Sequence, residues 1–373
     1  MIRVAIVGCG KIADQHVLAM RRIPTSQVVA VCDQERLMAK QLAERSGIEG
    51  CFDDVAEMLR TSTPDVVHIT TPPQSHHELG RQCLEAGCHV YIEKPFTVTR
   101  QEAQSLIDLA SNLGLNITAG HNYQFTPEML AMRELVRQGF LGGPAVHLES
   151  TWSYDLGDAS YVGPMLGNPD HWVRRLPGQL FHNLISHGIA RLAEFLGDDM
   201  AEIVVSTQQS ARMRTLGGQE VKDEMRALLR DSRGTTASFN FTTQVKPGVN
   251  QLRVLGPAGS ITVDLVSGSV IRHFGKSYKS YLTFVMPSLV QAREHGSNFV
   301  RNAWDILRWR LHQDGGIKEL IQRFHSSIAS RQPPPIAYRE ILLTAGIMDA
   351  LFAVPQGSGA SRSASPLPSA ASA

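Results

Sequence analysis

The chain is poor in the features that would set it apart from ordinary globular proteins. Cysteine is scarce, with Cys9, Cys32, Cys51, Cys83 and Cys88 the only five in 373 residues. None forms a CxxC pair and the odd count fits no disulfide framework, so a reduced, cytoplasmic protein is expected. Cys9 and Cys32, in apolar strand-end surroundings, read as small buried thiols. Charge of one sign is also missing: 36 Lys and Arg against 35 Asp and Glu leave a net +1. That removes the electrostatic footprint of a nucleic-acid binder. No run approaches the ~18 apolar residues of a membrane span. The opening MIRVAIVG has no charged n-region or cleavage site of an export signal. The histidines make no ligand set with cysteine or carboxylates at metal-site spacings, so no metal is expected.

What is present divides the chain by texture. Up to about residue 120, short apolar runs at Arg3–Val7, Val28–Cys32, Val66–Thr70, His89–Ile92 and Asn116–Ala119 alternate with helical patterns near 11–23, 36–46, 75–87 and 100–114. Such an alternation predicts a parallel sheet covered on both faces. From 121 to 354 a helical stretch at Pro127–Gln138 precedes strand-like segments: Ala145–Trp152, Glu202–Gln208, Glu224–Asp231, Thr235–Thr243, Gln251–Leu255, Ser260–Leu265 and Ser269–His273. Helical patterns return near 289–312, 316–330 and 338–353. The expectation is a doubly wound α/β domain over 1–120, then an α+β domain over 121–354 built on a mostly antiparallel open sheet. Residues 355–373, rich in Ser, Ala, Pro and Gly, read as a disordered tail.

VAIVGCGKIADQH places Gly8, Gly10 and Ala13 in a G-x-G-x-x-A pattern between a strand and a helix. Gly8 permits the tight turn, Gly10 lets a pyrophosphate approach the backbone, and Ala13 allows close helix–strand packing. Lys11 and Ile12 complete the turn expected against a dinucleotide. Asp33 ends the next strand, where an acid bonds the ribose hydroxyls. Its charge repels a 2′-phosphate, and Gln34 and Glu35 offer no offsetting cation. NAD is therefore expected over NADP, with Arg36 the one nearby feature favouring the latter.

Two further strand ends carry HITTPPQSHHE and HVYIEKPFT. Ligands of open α/β sheets bind beyond the carboxyl ends of strands, so Thr71, Pro72, Glu93 and Lys94 are expected at the cofactor. His76 is expected there too, with a turn-capping role as the alternative for it and for His77. Lys94, held between Glu93 and Pro95, is the leading candidate for chemistry. Partial burial lowers a lysine pKa toward neutrality, which suits proton exchange with a hydroxyl or carbonyl.

Taken in order, VAIVGCGKIA, VCD, TTPPQSHHE, CLEAGCHVYIEKPFTVT, GHNYQFTPEM and PGQLFHNLISHG resemble the Gfo/Idh/MocA family of oxidoreductases. The resemblance implies a Rossmann domain followed by an open sheet for substrate binding and oligomer contacts. It implies NAD-dependent hydride transfer to or from a sugar, polyol or nucleotide-sugar hydroxyl, with the lysine of EKP mediating the proton. Family members often carry Asp and His four residues apart on a helix. The matching positions here are Asn183 and His187, which implies that His187 faces substrate beside Lys94. Asn183 departs from the pattern, because an amide cannot take a proton; Asp170 in NPDHW is a conceivable substitute. Gln124 stands where the family often has arginine. Two alternatives stay open: a redox-neutral enzyme cleaving glycosides through transient NAD reduction, and a non-catalytic cofactor-binding regulator.

The segment SNFVRNAWDILRWRLHQD, 297–314, lines up Phe299, Val300, Ala303, Trp304, Leu307 and Leu311 on one helical stripe. It reads as core or an oligomer contact, with weak membrane-surface association or a lid over a diphosphate-bearing substrate as alternatives. A second-domain sheet with an apolar outer face would add to this, so a homodimer or homotetramer is expected.

Overall fold

A computed structural model describes residues 1–157, 162–218, 220–275, 277–308 and 315–353. The Val- and Ile-rich runs of the first part form the strands β1 (Ile2–Val7), β2 (Ser26–Cys32), β3 (Gly50–Phe52), β4 (Val66–Ile69), β5 (His89–Ile92) and β6 (Ile117–Ala119). They pair in parallel in the order β3-β2-β1-β4-β5-β6, the strand order of a dinucleotide-binding fold. The helices between them are α1 (Lys11–Met20), α2 (Arg36–Ser46), α3 (Val55–Ser62), α4 (His76–Glu85) and α5 (Arg100–Asn112). A capping box at Thr99 and Glu102 starts α5. β3 and α3 were not foreseen. The strand is three half-exposed residues, too short to show a period, although Asp54 accepting from the Glu57 amide is a legible helix start.

The second sheet comes from the helix α6 (Pro127–Arg137) onward. It consists of β7 (His147–Ser153), then, after the short helices α7 (Val162–Gly167), α8 (Gln179–Leu184) and α9 (Ser186–Ala193), β8 (Met200–Gln208). Beyond α10 (Ala211–Thr215) it adds β9 (Glu224–Asp231), β10 (Thr236–Thr242), β11 (Asn250–Leu255), β12 (Gly259–Asp264) and β13 (Ser269–Phe274). The order is β13-β12-β11-β7-β10-β9-β8, antiparallel except between β7 and β10. Helix α9 crosses β7 and β10 so closely that a Cβ on Gly188 would lie 2.4 Å from the Phe239 ring. The other face differs from the apolar surface expected of it. Glu149, Thr151, Ser238, Asn240, Gln251, Arg253 and Thr262 occupy its central positions, because β7, β10, β11 and β12 alternate and place their hydrophobic sets under the helices, while Leu228 and Val204 are exposed toward the β8 edge.

The long helix α11 (Leu282–Leu307) inverts the expected amphipathicity. It packs on β13 through polar residues: Glu294 is paired with Arg272 at 2.7 Å, and Asn298 is bonded to both the amide and the carbonyl of Val270. Phe299, Val300, Trp304 and Leu307 are exposed, Phe299 by 73% and Trp304 by 52%, so the stripe is not core within this chain. Leu311, its last member, lies outside the described residues, as does the expected tail.

The chain closes with α12 (Ile317–Ala329) and α13 (Tyr338–Ala353). Two compact units result. One comprises Met1–Phe125 with Asp314–Asp349; the other runs from Thr126 to Gln313 and resumes at Ala350. Residues 314–349, which the sequence reading grouped with the second domain, belong with the first because α12 packs on α1. No helix among the described residues is long and apolar enough to cross a membrane.

Candidate active site

In the first unit the sheet reverses direction of winding between the adjacent strands β1 and β4, and their carboxyl ends carry the glycine turn and the TTPP turn. Gly8 has φ +95°, and a Cβ there would sit 2.7 Å from Thr71 Cγ2 and 2.8 Å from the Thr71 amide nitrogen. Its glycine is thus required by the fold. Gly10 is different. It is the N-cap of α1 at φ −75°, with no side-chain cap, and a Cβ built on it meets nothing within 4 Å. Nothing in the protein demands glycine at a position where Ser, Thr or Asp normally caps. A group approaching the α1 amides does, and this open cradle fits a dinucleotide pyrophosphate.

Asp33 accepts the Cys9 amide at 2.7 Å through Oδ2 and the Glu35 amide at 2.9 Å through Oδ1. The carboxylate therefore fixes the glycine turn, and the lone pairs that remain fit ribose hydroxyls. Arg36 faces Asp53 at 3.5 Å. Cys9 and Cys32 are buried as expected, and burial, helped by Asp33, pushes both thiols up to about 12. Lys11 is exposed at the start of α1, Ile12 is half-buried and Ala13 fully buried. Thr71 receives a hydrogen bond from Ser75 Oγ at 2.7 Å, and Pro72 is exposed.

His76 is a brace. Fully buried, it bonds the Thr71 carbonyl through Nε2 at 2.8 Å and approaches the Pro95 carbonyl through Nδ1 at 2.9 Å, tying the TTPP turn to the EKP turn. His77 lies outside this cluster, against Ser105 Oγ at 3.3 Å. Glu93 turns its carboxylate inward, where Oε1 accepts from His16 Nε2 at 2.9 Å and Oε2 from the Lys94 amide at 3.2 Å. Burial raises the Glu93 pKa, but the hydrogen bond from His16 and the charge and amide of Lys94 outweigh it and hold the carboxyl low. Lys94 precedes Pro95 across a cis peptide bond and is half-buried. Burial pushes its ammonium pKa below the usual lysine range, and the Glu93 charge offsets part of that. His121, quoted in the sequence only as part of GHNYQFTPEM, belongs to the same cluster. Burial drives its pKa to about 4, with Glu93 opposing and Lys94 adding to the shift.

In the second unit, Leu180, Phe181, Leu184, Ile185 and Ile189 are core. The expected single helix is divided at Ile185 into α8, carrying Asn183, and α9, carrying His187. Both polar residues are buried, and the His187 ring lies 5.5 Å from Trp152 on β7. Arg191, one turn further along α9, is fully buried. It donates to Asn250 Oδ1 at 2.8 Å and Ser150 Oγ at 3.4 Å and lies over the same Trp152 ring at 5.8 Å. Trp152 and Arg191 escaped the sequence reading, although the His187–Arg191 spacing of four is legible. His182 stacks on Phe352 at 5.2 Å, a core contact. Asp170, the conceivable substitute carboxylate, is exposed in a loop.

Comparison with known proteins accounts for this order of parts. Residues 2–121 match the profile of an oxidoreductase family with an NAD-binding Rossmann fold, and 129–262 match the C-terminal domain of the same family. The chain belongs to the Gfo/Idh/MocA family. Among curated Gfo/Idh/MocA relatives, D-glucoside 3-dehydrogenase of Escherichia coli is 37% identical over 38% of this chain, and the match spans 40% of that protein. D-apiose dehydrogenase of Paraburkholderia graminis is 29% identical over 71% of this chain and 66% of its own length. The solved WlbA dehydrogenase of Bordetella pertussis, in complex with NADH and UDP-GlcNAcA, shares the fold with a TM-score of 0.74 at 18% identity, covering 94% of each chain. Against the family pattern, Gln124 is buried and donates to Glu340 Oε2 at 3.4 Å, so the position where arginine is frequent serves an internal contact here.

Proposed function

We propose that this protein binds NAD and oxidises or reduces a CH–OH carbon of a sugar, polyol or nucleotide sugar. The observation that carries the reading is Lys94: a half-buried lysine of lowered pKa at the carboxyl end of β5, in the sheet whose β1 end carries the uncapped Gly10 cradle. Gly8, Gly10, Lys11, Ile12, Thr71 and Pro72 line the cofactor, and Ala13 packs behind them. Asp33 takes the ribose hydroxyls and sets the preference for NAD over NADP. Glu93 and His76 act from behind, holding the two turns. Bound NAD supplies the hydride acceptor. Lys94 takes the hydroxyl proton as the carbon is oxidised and returns it in the reverse direction. We assign substrate hydroxyls to His187 and Asn183, which offer an imidazole and an amide that donate and accept.

The test is absorbance of reduced nicotinamide while the protein with NAD or NADP is offered polyols, free sugars and nucleotide sugars. Net reduction of NAD with one class is expected, with NADP supporting less than a tenth of that rate. Bound NAD with no net reduction across the three classes would overturn the reading and favour a redox-neutral cycle.

We infer also that the protein self-associates through the exposed stripe of α11. The polar side of this helix is spent on β13, a net charge of +1 gives no attraction to anionic surfaces, and a second copy covers apolar surface with apolar surface. Sedimentation at micromolar concentration should return a dimer or tetramer, and Trp304→Glu should return a smaller species. An unchanged mass in the variant would exclude this interface.

A further inference from the structure

Three buried histidines lie end to end inside the first unit, each from a different element. His16 on α1 bonds Glu93 Oε1 through Nε2 at 2.9 Å and His68 on β4 through Nδ1 to Nδ1 at 2.8 Å. His68 Nε2 meets His325 Nε2 on α12 at 3.2 Å, and His325 Nδ1 meets Ser26 Oγ at 2.7 Å. All three rings are at most 1% exposed, whereas Ser26, the first residue of β2, is partly exposed. Because the sheet is parallel, Glu93 stands at its carboxyl edge beside Lys94 and Ser26 at its amino edge. The chain of contacts therefore runs from the candidate active site to the opposite surface of the sheet.

The hydrogens fit this chain in one way when Glu93 is ionised. Four links join the five groups. Each neutral imidazole contributes one N–H and Ser26 one O–H, so every link holds a single hydrogen. His16 then donates to Glu93, His68 to His16, His325 to His68 and Ser26 to His325. For two of the rings the surroundings favour the neutral form: burial and the neighbouring histidines hold His68 well below the usual imidazole range, and burial, with His16, brings His325 to about 4. Tyr91 stacks on His68 at 4.8 Å and stands edge-on to His16 at 5.1 Å, fixing both rings. Its own hydroxyl is kept protonated by burial and by the charge of Glu93. The other titratable groups that act on Glu93 among the described residues are Lys94, His76 and His121.

We propose that Glu93, His16, His68, His325 and Ser26 form a buried proton relay that exchanges the carboxylate beside Lys94 with solvent at the far edge of the sheet. In one passage Ser26 Oγ takes a proton from water while its own hydrogen moves to His325 Nδ1. The His325 Nε2 hydrogen moves to His68 Nε2, the His68 Nδ1 hydrogen to His16 Nδ1, and the His16 Nε2 hydrogen to Glu93 Oε1. Solvent loses one proton, Glu93 gains one, and no charge remains between them. The reverse passage returns the proton to solvent and restores the Glu93 carboxylate. Its charge state sets how tightly Lys94 holds a proton, so the relay resets the site while substrate fills it. These five act on Lys94 through Glu93 and are positioning residues. Only that use in turnover rests on the oxidoreductase reading; the relay itself is independent of it.

The test follows the imidazole N–H hydrogens of His16 and His68 by nitrogen-15 NMR of histidine-labelled protein transferred to D2O. In the native chain they should exchange much faster than the Val67 amide, which sits beside His68 in β4 and exchanges only through opening. Ser26→Ala removes the surface donor, and His325→Gln retains a hydrogen-bonding side chain that cannot pass a proton between two ring nitrogens. Both should slow imidazole exchange at least tenfold while leaving NAD affinity unchanged. Thermal melting of each variant establishes that the fold is retained. Exchange as fast in either folded variant as in the native chain would overturn the relay, and so would native imidazole exchange as slow as that of the Val67 amide. Once a substrate is known, a larger solvent deuterium effect on kcat in Ser26→Ala ties the relay to turnover. Failure to find any substrate would sink the catalytic reading and leave the exchange result standing.

Discussion

Lys94→Ala should lower kcat by about 10²- to 10⁴-fold, the range of a positioned general acid–base, with the Kd for NAD changed less than twofold. The substitution removes the one side chain at the β5 end whose pKa is depressed by burial, and it leaves the glycine turn, Asp33 and the His76 brace intact. Lys94→Arg should not restore activity, because a guanidinium does not deprotonate. The pH profile carries a sign. Oxidation needs the neutral amine, so its rate should rise with pH and level off above the folded pKa of Lys94. Since burial lowers that pKa, the midpoint should lie below 10.5, the value for a free lysine. A profile without a rising limb, or turnover surviving in Lys94→Ala, would assign the proton to another group.

The glycine turn makes the second large prediction, and its two glycines should fail in different ways. Gly8→Ala forces a side chain to φ +95° and drives a Cβ into the Thr71 backbone, which cannot yield without moving β4. Left-handed backbone and overpacking together cost about 2–4 kcal/mol, so the melting temperature should fall by roughly 5–10 °C and NAD binding should be lost with it. Gly10→Ala meets no protein atom and adopts an ordinary φ, so stability should be unchanged or slightly higher. NAD affinity should nevertheless drop by tenfold or more, because the new methyl occupies the approach to the α1 amides. Calorimetric titration and thermal melting on the two variants separate the outcomes. Gly10→Ala binding NAD normally would remove the cradle from the cofactor site.

Elements with a clear period were legible in the sequence. β5 and β9 fall on the expected residues, and α5 and α12 within about two. Partners distant in sequence were not. His16, His68 and His325 drew no reading from the sequence, because their contacts span 52 and 257 positions that no local pattern records. Arg191 was invisible for the same reason, since its acceptors are on β7 and at the start of β11. For helix α11 the core alternative failed for a different reason. Amphipathicity identifies two faces, but the inward face was decided by the specific Glu294–Arg272 and Asn298–Val270 contacts rather than by hydrophobicity. The strand-end rule placed Lys94, Thr71 and Asp33 just beyond β5, β4 and β2, where the structure has them, whereas the inward turn of Glu93 could be seen only with His16 in place.

The discontinuous first unit has a consequence for the birth of the protein. Its sheet is complete in sequence by Ala119, yet α12, which covers α1 and supplies His325, is made only after the whole intervening unit. With translation at ~5–20 residues per second, the roughly 220 residues between Phe125 and Asp349 take about 10–40 s to synthesise. For that interval the nascent Rossmann sheet waits on the ribosome with α1 uncovered and His68 missing one partner. The helix that completes it follows only after β7 through α11 have been made.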